Sequence, residues 1–69
     1  MKLIQITDHN DCIYMVNIYH IIYLSKLNNS TLIQLTNGLK ITTNLPYIQL
    51  AERIYAMKSD TEQTNFLYD

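Results

Sequence analysis

The hydrophobic pattern of this chain changes its period once, at Asn44. Between Leu3 and Thr43, apolar and polar residues alternate in several short runs, as in strands that bury one face. From Tyr47 onwards apolar residues recur every three to four positions, the spacing of an amphipathic helix. The sequence therefore predicts an α+β fold, in which a twisted antiparallel sheet of four to five strands is followed by one amphipathic C-terminal helix packed on it.

The most definite local prediction is a hairpin at Asn37-Gly38. Both residues tolerate positive φ, and strand-like segments flank them over 31–36 and 39–43. We expect a two-residue turn in which Gly38 adopts positive φ beside Asn37.

The helix is predicted to begin after Asn44, with Pro46 in its first turn. Its apolar stripe is expected to pack on the sheet and consists of Tyr47, Ile48, Leu50, Ala51, Ile54 and Tyr55. Ser59 and Glu62 have the spacing of a capping box, so residues 59–69 are expected to form a second short helix or an acidic tail. A single domain is thus predicted over residues 1–58.

Alternation along the predicted strands assigns the apolar side chains to two faces of the sheet. Those expected to face the helix are Ile4, Ile6, Ile13, Met15, Ile22, Leu24, Ile33, Leu35 and Ile41. The opposite face then has Leu3, Tyr14, Ile21, Tyr23 and Leu32, which is too apolar to leave in water on a stable monomer. We expect this face to bind a second copy of the chain or a protein partner; the alternative is that the sheet curls and covers it, or that the C-terminal tail packs there.

Length and composition limit which cellular compartment and which classes of partner we expect. The chain has 69 residues and one cysteine, Cys12, so no internal disulfide can form and a reducing, cytoplasmic location is expected. No apolar run approaches the roughly 18 residues of a membrane span, so membrane insertion is not expected. The five basic residues are scattered and the net charge is −1, which makes nucleic-acid binding the less favoured interaction.

Residues with catalytic or metal-binding chemistry do not assemble into a motif. His9 and Cys12 have the spacing of one zinc-ligand pair, but His20 is isolated and there is no second cysteine. Nothing in the sequence has the pattern of a phosphate-binding loop or of an activated nucleophile. The prediction is a non-enzymatic protein with no cofactor or metal.

The hairpin sequence IQLTNGLKI, over Ile33–Ile41, resembles a segment of the small flagellar FlbD/SwrD proteins. Val16-Asn17 followed by Ile21 or Ile22 resembles a second segment of that family, and the likeness covers roughly residues 2–57. It departs at Ile18-Tyr19, where the family commonly has Pro-Asp. This resemblance implies a role in motility-linked regulation.

A weaker likeness is to the first half of LytTR-type DNA-binding domains, through Ile21–Leu24 and Leu45–Leu50. It implies transcription control, although the basic C-terminal part of that family has no counterpart here. The expected function is therefore a small interaction or regulatory protein that docks a sheet face or edge onto a partner, as a homo-oligomer. The alternatives are a minimal DNA-binding regulator and a phage-type inhibitor that binds a host protein.

Overall fold

The computed structural model describes residues 2–66, with side chains described as far as residue 59. Five strands precede one helix, which confirms the α+β class. The elements are β1 (Leu3–Thr7), β2 (Ile13–Asn17), β3 (Ile21–Lys26), β4 (Thr31–Leu35), β5 (Lys40–Thr43) and α1 (Tyr47–Phe66). A 3₁₀ helix, Ile18–His20, joins β2 to β3.

The strands form two antiparallel sheets where one was expected. β1 pairs with β2, and β3, β4 and β5 pair in chain order. The division falls at Asn17, whose side chain accepts a hydrogen bond from the Tyr19 N–H at 3.0 Å and so caps the 3₁₀ helix. Thr43 links the two sheets, because it pairs with Asp8 and its hydroxyl donates to the carbonyl of Thr7 at 2.7 Å.

The core lies where the two sheets meet the helix. Its buried apolar side chains are Ile4, Ile6, Val16, Ile18, Ile33, Leu35, Ile41, Leu50 and Ile54. Two buried threonines, Thr31 and Thr43, donate their hydroxyl groups to the carbonyls of Leu45 and Thr7, so neither hydroxyl is left without a partner. These two bonds fix the end of the second sheet to the start of the helix and to β1.

The expected inward face of β2 was wrong. Ile13 and Met15 are 65% and 59% exposed, while Val16 is buried and Tyr14 packs against the core. The pairing explains the difference: Val16 and Tyr14 lie opposite the buried residues of β1, and directly paired residues share a face of the sheet.

The expected inward position of Ile22 was also wrong. The register of β3 against β4 shifts between Ile21 and Tyr23, which is the irregularity of a β-bulge. Ile22 is consequently exposed, whereas Ile21 and Leu24 pack against the core.

The β4–β5 hairpin is confirmed, but its turn contains three residues. Gly38 has φ +89°, as expected, and Asn37 does not share the positive φ. The Leu35 N–H donates to the Leu39 carbonyl, and the Gly38 N–H donates to the Leu35 carbonyl. This is a turn over residues 35–38 whose last residue is the left-handed Gly38, the usual form of a three-residue hairpin loop.

α1 is one continuous helix that buries a narrower stripe than expected. Leu50 and Ile54 are buried, whereas Ile48 and Tyr55 are 63% and 73% exposed. Residues 59–62 lie inside α1, so no second helix begins there, and residues 67–69 of the expected tail lie outside the described residues. The described chain has no helix that is both long enough and apolar enough to cross a membrane.

Candidate docking site at the edge of β1

The five residues expected to form one interaction face are divided among three places. Tyr14 and Ile21 pack against the core. Tyr23 and Leu32 lie on the outer face of the β3–β4–β5 sheet, where Tyr23 is opposite Gln34 and Leu32 is opposite Ser25. Leu3 lies on the outer face of the β1–β2 sheet and is exposed. The predicted face therefore does not exist as one surface, because the division into two sheets and the phase of β2 separate its members.

A different apolar surface is exposed on the outer face of β1 and β2. It comprises Leu3, Ile13 and Met15, with Gln5 and Thr7 between them. Gln5 lies opposite Met15, and Thr7 lies opposite Ile13. We call this set the hairpin face, after the hairpin of β1 and β2 on which it lies. It faces away from the core, since the inward side of these strands consists of buried residues.

The backbone of β1 is paired on one side only. The hydrogen bonds that bracket its ladder with β2 join the Asp8 N–H to the Cys12 carbonyl and the Ile18 N–H to the Lys2 carbonyl. In an antiparallel pair, hydrogen-bonded residues alternate with residues whose polar groups point the other way. The even-numbered residues of β1 therefore bond to β2, and the odd-numbered ones, Leu3, Gln5 and Thr7, direct their N–H and C=O groups away from it.

At one end this outward side of β1 is satisfied by the second sheet. The Thr7 carbonyl accepts from the Thr43 hydroxyl, and the His9 N–H donates to the Thr42 carbonyl at 3.0 Å. Over Leu3 and Gln5, no strand of the described chain pairs with β1 on this side. We call the unpaired groups the β1 edge: the N–H and C=O of Leu3 and of Gln5, and the N–H of Thr7.

The β1 edge adjoins a cleft of about 930 Å³. All five residues of β1 line the cleft, which identifies β1 as one of its walls. The last residue of β5 and the loop after it line the cleft at residues 43–46, and α1 contributes Arg53, Ala56 and Met57. Because Leu3 belongs to both the hairpin face and the cleft wall, the exposed apolar side chains and the unpaired backbone form one continuous surface.

The turn between β1 and β2 places two carboxylates, Asp8 and Asp11, at the cleft. Asp8 Oδ1 accepts hydrogen bonds from the N–H groups of Cys12 and Asn10 at 2.9 and 2.8 Å. The bond from Cys12 is the main cause that holds the pKa of Asp8 below its ordinary value. The negative charge of Asp8, in turn, raises the pKa of Tyr14, whose hydroxyl lies 3.4 Å from Asp8 Oδ2.

Asp11 is exposed, and its backbone has φ +66°. Aspartate and asparagine tolerate this left-handed conformation better than most residues, so the turn itself accounts for an Asp at this position. The side chain is thereby free to project its charge at the cleft wall without being needed for a hydrogen bond within the turn.

The candidate metal-ligating residues of the sequence do not form one site in the fold. His9 and Cys12 are exposed residues of the β1–β2 turn, and His20 ends the 3₁₀ helix. Among the described residues, no group of three or more His, Cys, Asp or Glu side chains could hold a metal ion. His9 instead anchors the turn to β5 through its main-chain bond to Thr42.

Comparison with known proteins gives no assignment: no family model, no curated protein and no solved structure matches this chain significantly. The likenesses to the flagellar proteins and to the DNA-binding domains therefore stay predictions. The interpretation of the cleft depends on its geometry and charge.

Proposed function

We propose that this chain is a small cytoplasmic, non-enzymatic interaction protein that binds a strand of a protein partner along the β1 edge. The observation behind the proposal is that Leu3 and Gln5 direct unpaired backbone groups at a cleft instead of at another strand. Exposed strand edges of this kind are templates for strand addition. Docking through a sheet edge also agrees with the function expected from the sequence.

The dimensions of the site suit a short extended segment. β1 has five residues, and at about 3.3 Å per residue it offers an edge of about 17 Å. An antiparallel strand along this edge would satisfy the five unpaired groups of Leu3, Gln5 and Thr7. Main-chain bonds would provide the affinity, while the side chains of the cleft walls would select among sequences.

Self-association is a separate proposal, and it involves different residues from those expected from the sequence. Tyr14 and Ile21 contribute to the core, so a contact between copies would instead use the hairpin face, where Ile13 is the most exposed apolar residue. This face has only three apolar side chains, whereas a standard protein–protein interface buries about 800 Å² of surface on each partner. The proposed association is therefore weak, and it involves the face of β1 and β2, leaving the β1 edge accessible.

The strand-addition proposal is tested by two substitutions at one position. Gln5→Pro removes an N–H that points into the cleft and is not used in the ladder with β2, and Pro is tolerated on edge strands. Gln5→Ala removes the side chain and keeps the N–H. Peptides selected from a random display library on the wild type should bind Gln5→Ala with similar affinity and Gln5→Pro at least tenfold more weakly.

The location of binding is measured by amide chemical shifts. The selected peptides should perturb the amides of Leu3, Gln5 and Thr7 and protect them from exchange. Equal affinity for the two variants, or perturbations centred on the β3–β4–β5 sheet, would show that β1 is not the docking edge. A thermal melt of Gln5→Pro close to that of the wild type confirms that the loss is not due to unfolding.

A further inference from the structure

The distribution of charge in the cleft identifies the partner segment more closely. We propose that the cleft selects an extended segment of another protein with a basic residue near its N-terminal end and an acidic residue three positions later. This inference assumes that the β1 edge binds a strand. It adds the direction, the charge pattern and the source of that strand.

The second wall of the cleft excludes a simple extension of the sheet by another copy. In such a dimer, β1 of a second copy would lie against the β1 edge, and its β2 would lie one strand further out. On this molecule α1 also lines the cleft, through Arg53, Ala56 and Met57. We infer that the cleft takes a single extended segment, because a second copy would bring its own β2 and the rest of its domain towards α1.

The charged residues of the cleft lining come from two different elements. Asp8 and Asp11 lie beyond the C-terminal end of β1, where the pairing of Asp8 with Thr43 joins the second sheet to β1. Arg53 is on the helix wall, six residues after Tyr47 and thus about 9 Å along the helix axis from its start. Among residues 2–59, no ion pair neutralises Asp11 or Arg53, and both are exposed. A bound segment would therefore meet negative charge at one end and positive charge further along.

The direction of the segment follows from the geometry of pairing. The contact that the structure already shows on this side of β1, between Asp8 and Thr43, is antiparallel. Antiparallel pairs are slightly more stable per residue than parallel ones. An antiparallel segment has its N-terminal end beside Thr7, so its basic residue would lie near Asp8 and Asp11 and its acidic residue would follow towards Arg53.

The test uses two synthetic peptides that differ only in charge. The first is acetyl-Thr-Lys-Val-Thr-Glu-Val-Thr-amide, and in the second both charged residues are replaced by Gln. Each is titrated into the isotope-labelled full chain while the amides of Leu3, Gln5 and Thr7 are followed. Because exposed ion pairs contribute about 0.2–1 kcal/mol each, the charged peptide should bind about 1.4- to 5-fold more tightly for each pair formed.

Protein variants assign the effect to its residue. Asp11→Asn removes the charge and keeps a side chain that suits φ +66°, and it should weaken binding of the charged peptide about 1.4- to 5-fold without affecting the neutral one. Arg53→Gln should act in the same way. Glu52→Gln is the matched control, because Glu52 is exposed on α1 and is not part of the cleft lining.

Failure of this inference is distinguishable from failure of the proposed function. Equal binding of both peptides at the β1 amides would overturn the charge selection and leave strand addition standing. Shifts at β1 with neither peptide would count against both. A homodimer in sedimentation equilibrium that dissociates in Gln5→Pro, and persists in Gln5→Ala, would place a second copy in the cleft and overturn the assignment to another protein.

Discussion

Two isoleucines of α1 provide a direct test of how the helix packs. Ile54 is 8% exposed and belongs to the core, whereas Ile48, six residues earlier in the same helix, is 63% exposed. Replacing either by alanine removes the same atoms and gives the same gain in helix propensity. The difference between the two variants therefore isolates the contribution of burial.

The expected loss follows from the removed atoms and the space they leave. Truncating a buried isoleucine to alanine costs about 2–4 kcal/mol of unfolding free energy, from lost transfer energy and the cavity together. A chain of 69 residues has a total stability of about 3–10 kcal/mol, so Ile54→Ala removes a large fraction of it. Ile48→Ala should change stability by no more than about 0.5 kcal/mol.

Urea denaturation followed by circular dichroism measures both values. Ile54→Val is a milder substitution, with an expected loss of about 0.5–1.5 kcal/mol, and keeps the comparison valid if Ile54→Ala does not fold. Similar losses at positions 48 and 54 would refute the helical phase, and with it the position of Arg53 on the cleft wall. A larger loss at position 48 would mean that the helix is rotated about its axis.

Three further results are expected. Gly38→Ala should lower the free energy of unfolding by about 1–2 kcal/mol, and Gly38→Asn by less, as measured by denaturation. Because no atom lies within 4 Å of an added Cβ, the loss comes from φ +89° alone. An unchanged stability of Gly38→Ala would contradict this turn. The pKa of Asp8 is lower in the folded state, so the stabilisation by its carboxylate is complete above the unfolded pKa near 4 and is lost as the pH falls through the folded pKa. Asp8→Asn keeps the Oδ1 acceptor, and it should lose less thermal stability than the wild type between pH 6 and pH 3. Equal losses in the two proteins would count against the hydrogen bonds of the turn. In sedimentation equilibrium the weak association should be abolished by Ile13→Lys and unaffected by Tyr23→Lys; the reverse order would restore the interface expected from the sequence.

The parts of the fold that sequence predicts well are those with a clear local pattern. Ile33 and Leu35 alternate with polar residues in β4, and both are buried as expected. The period of 3.6 places Leu50 and Ile54 in the core, and Gly38 has the positive φ that its position after Asn37 suggests. At each of these positions, local conformation and tertiary packing favour the same structure.

The face of β2 could not be predicted because its sequence has no alternation. Ile13, Tyr14, Met15 and Val16 are all apolar, so either phase buries two of them. Pairing with β1 decides between the phases, and pairing is a long-range property. The error matters for function, since it exchanges Tyr14 for Ile13 and Met15 on the exposed side.

The division into two sheets falls at the 3₁₀ helix that the Asn17 side chain caps. The sequence does not predict the 3₁₀ helix that Asn17 caps or the burial of Ile18. An Asn that can bond the backbone two residues later, before a run of bulky residues, is the local indication that could have been used. The cleft itself had no sequence indication, because residues from β1, the β5–α1 loop and α1 form it together.

The central claim is that β1 has an unpaired edge, and amide hydrogen exchange of the isolated protein tests it directly. The amides of Ile4 and Ile6 bond to β2 and should be protected, whereas those of Leu3, Gln5 and Thr7 face the cleft and should exchange rapidly. Alternating protection along β1 at low protein concentration is the predicted result. Uniform protection of all five amides would show that this edge is already covered, and it would contradict the account of β1 as a docking edge.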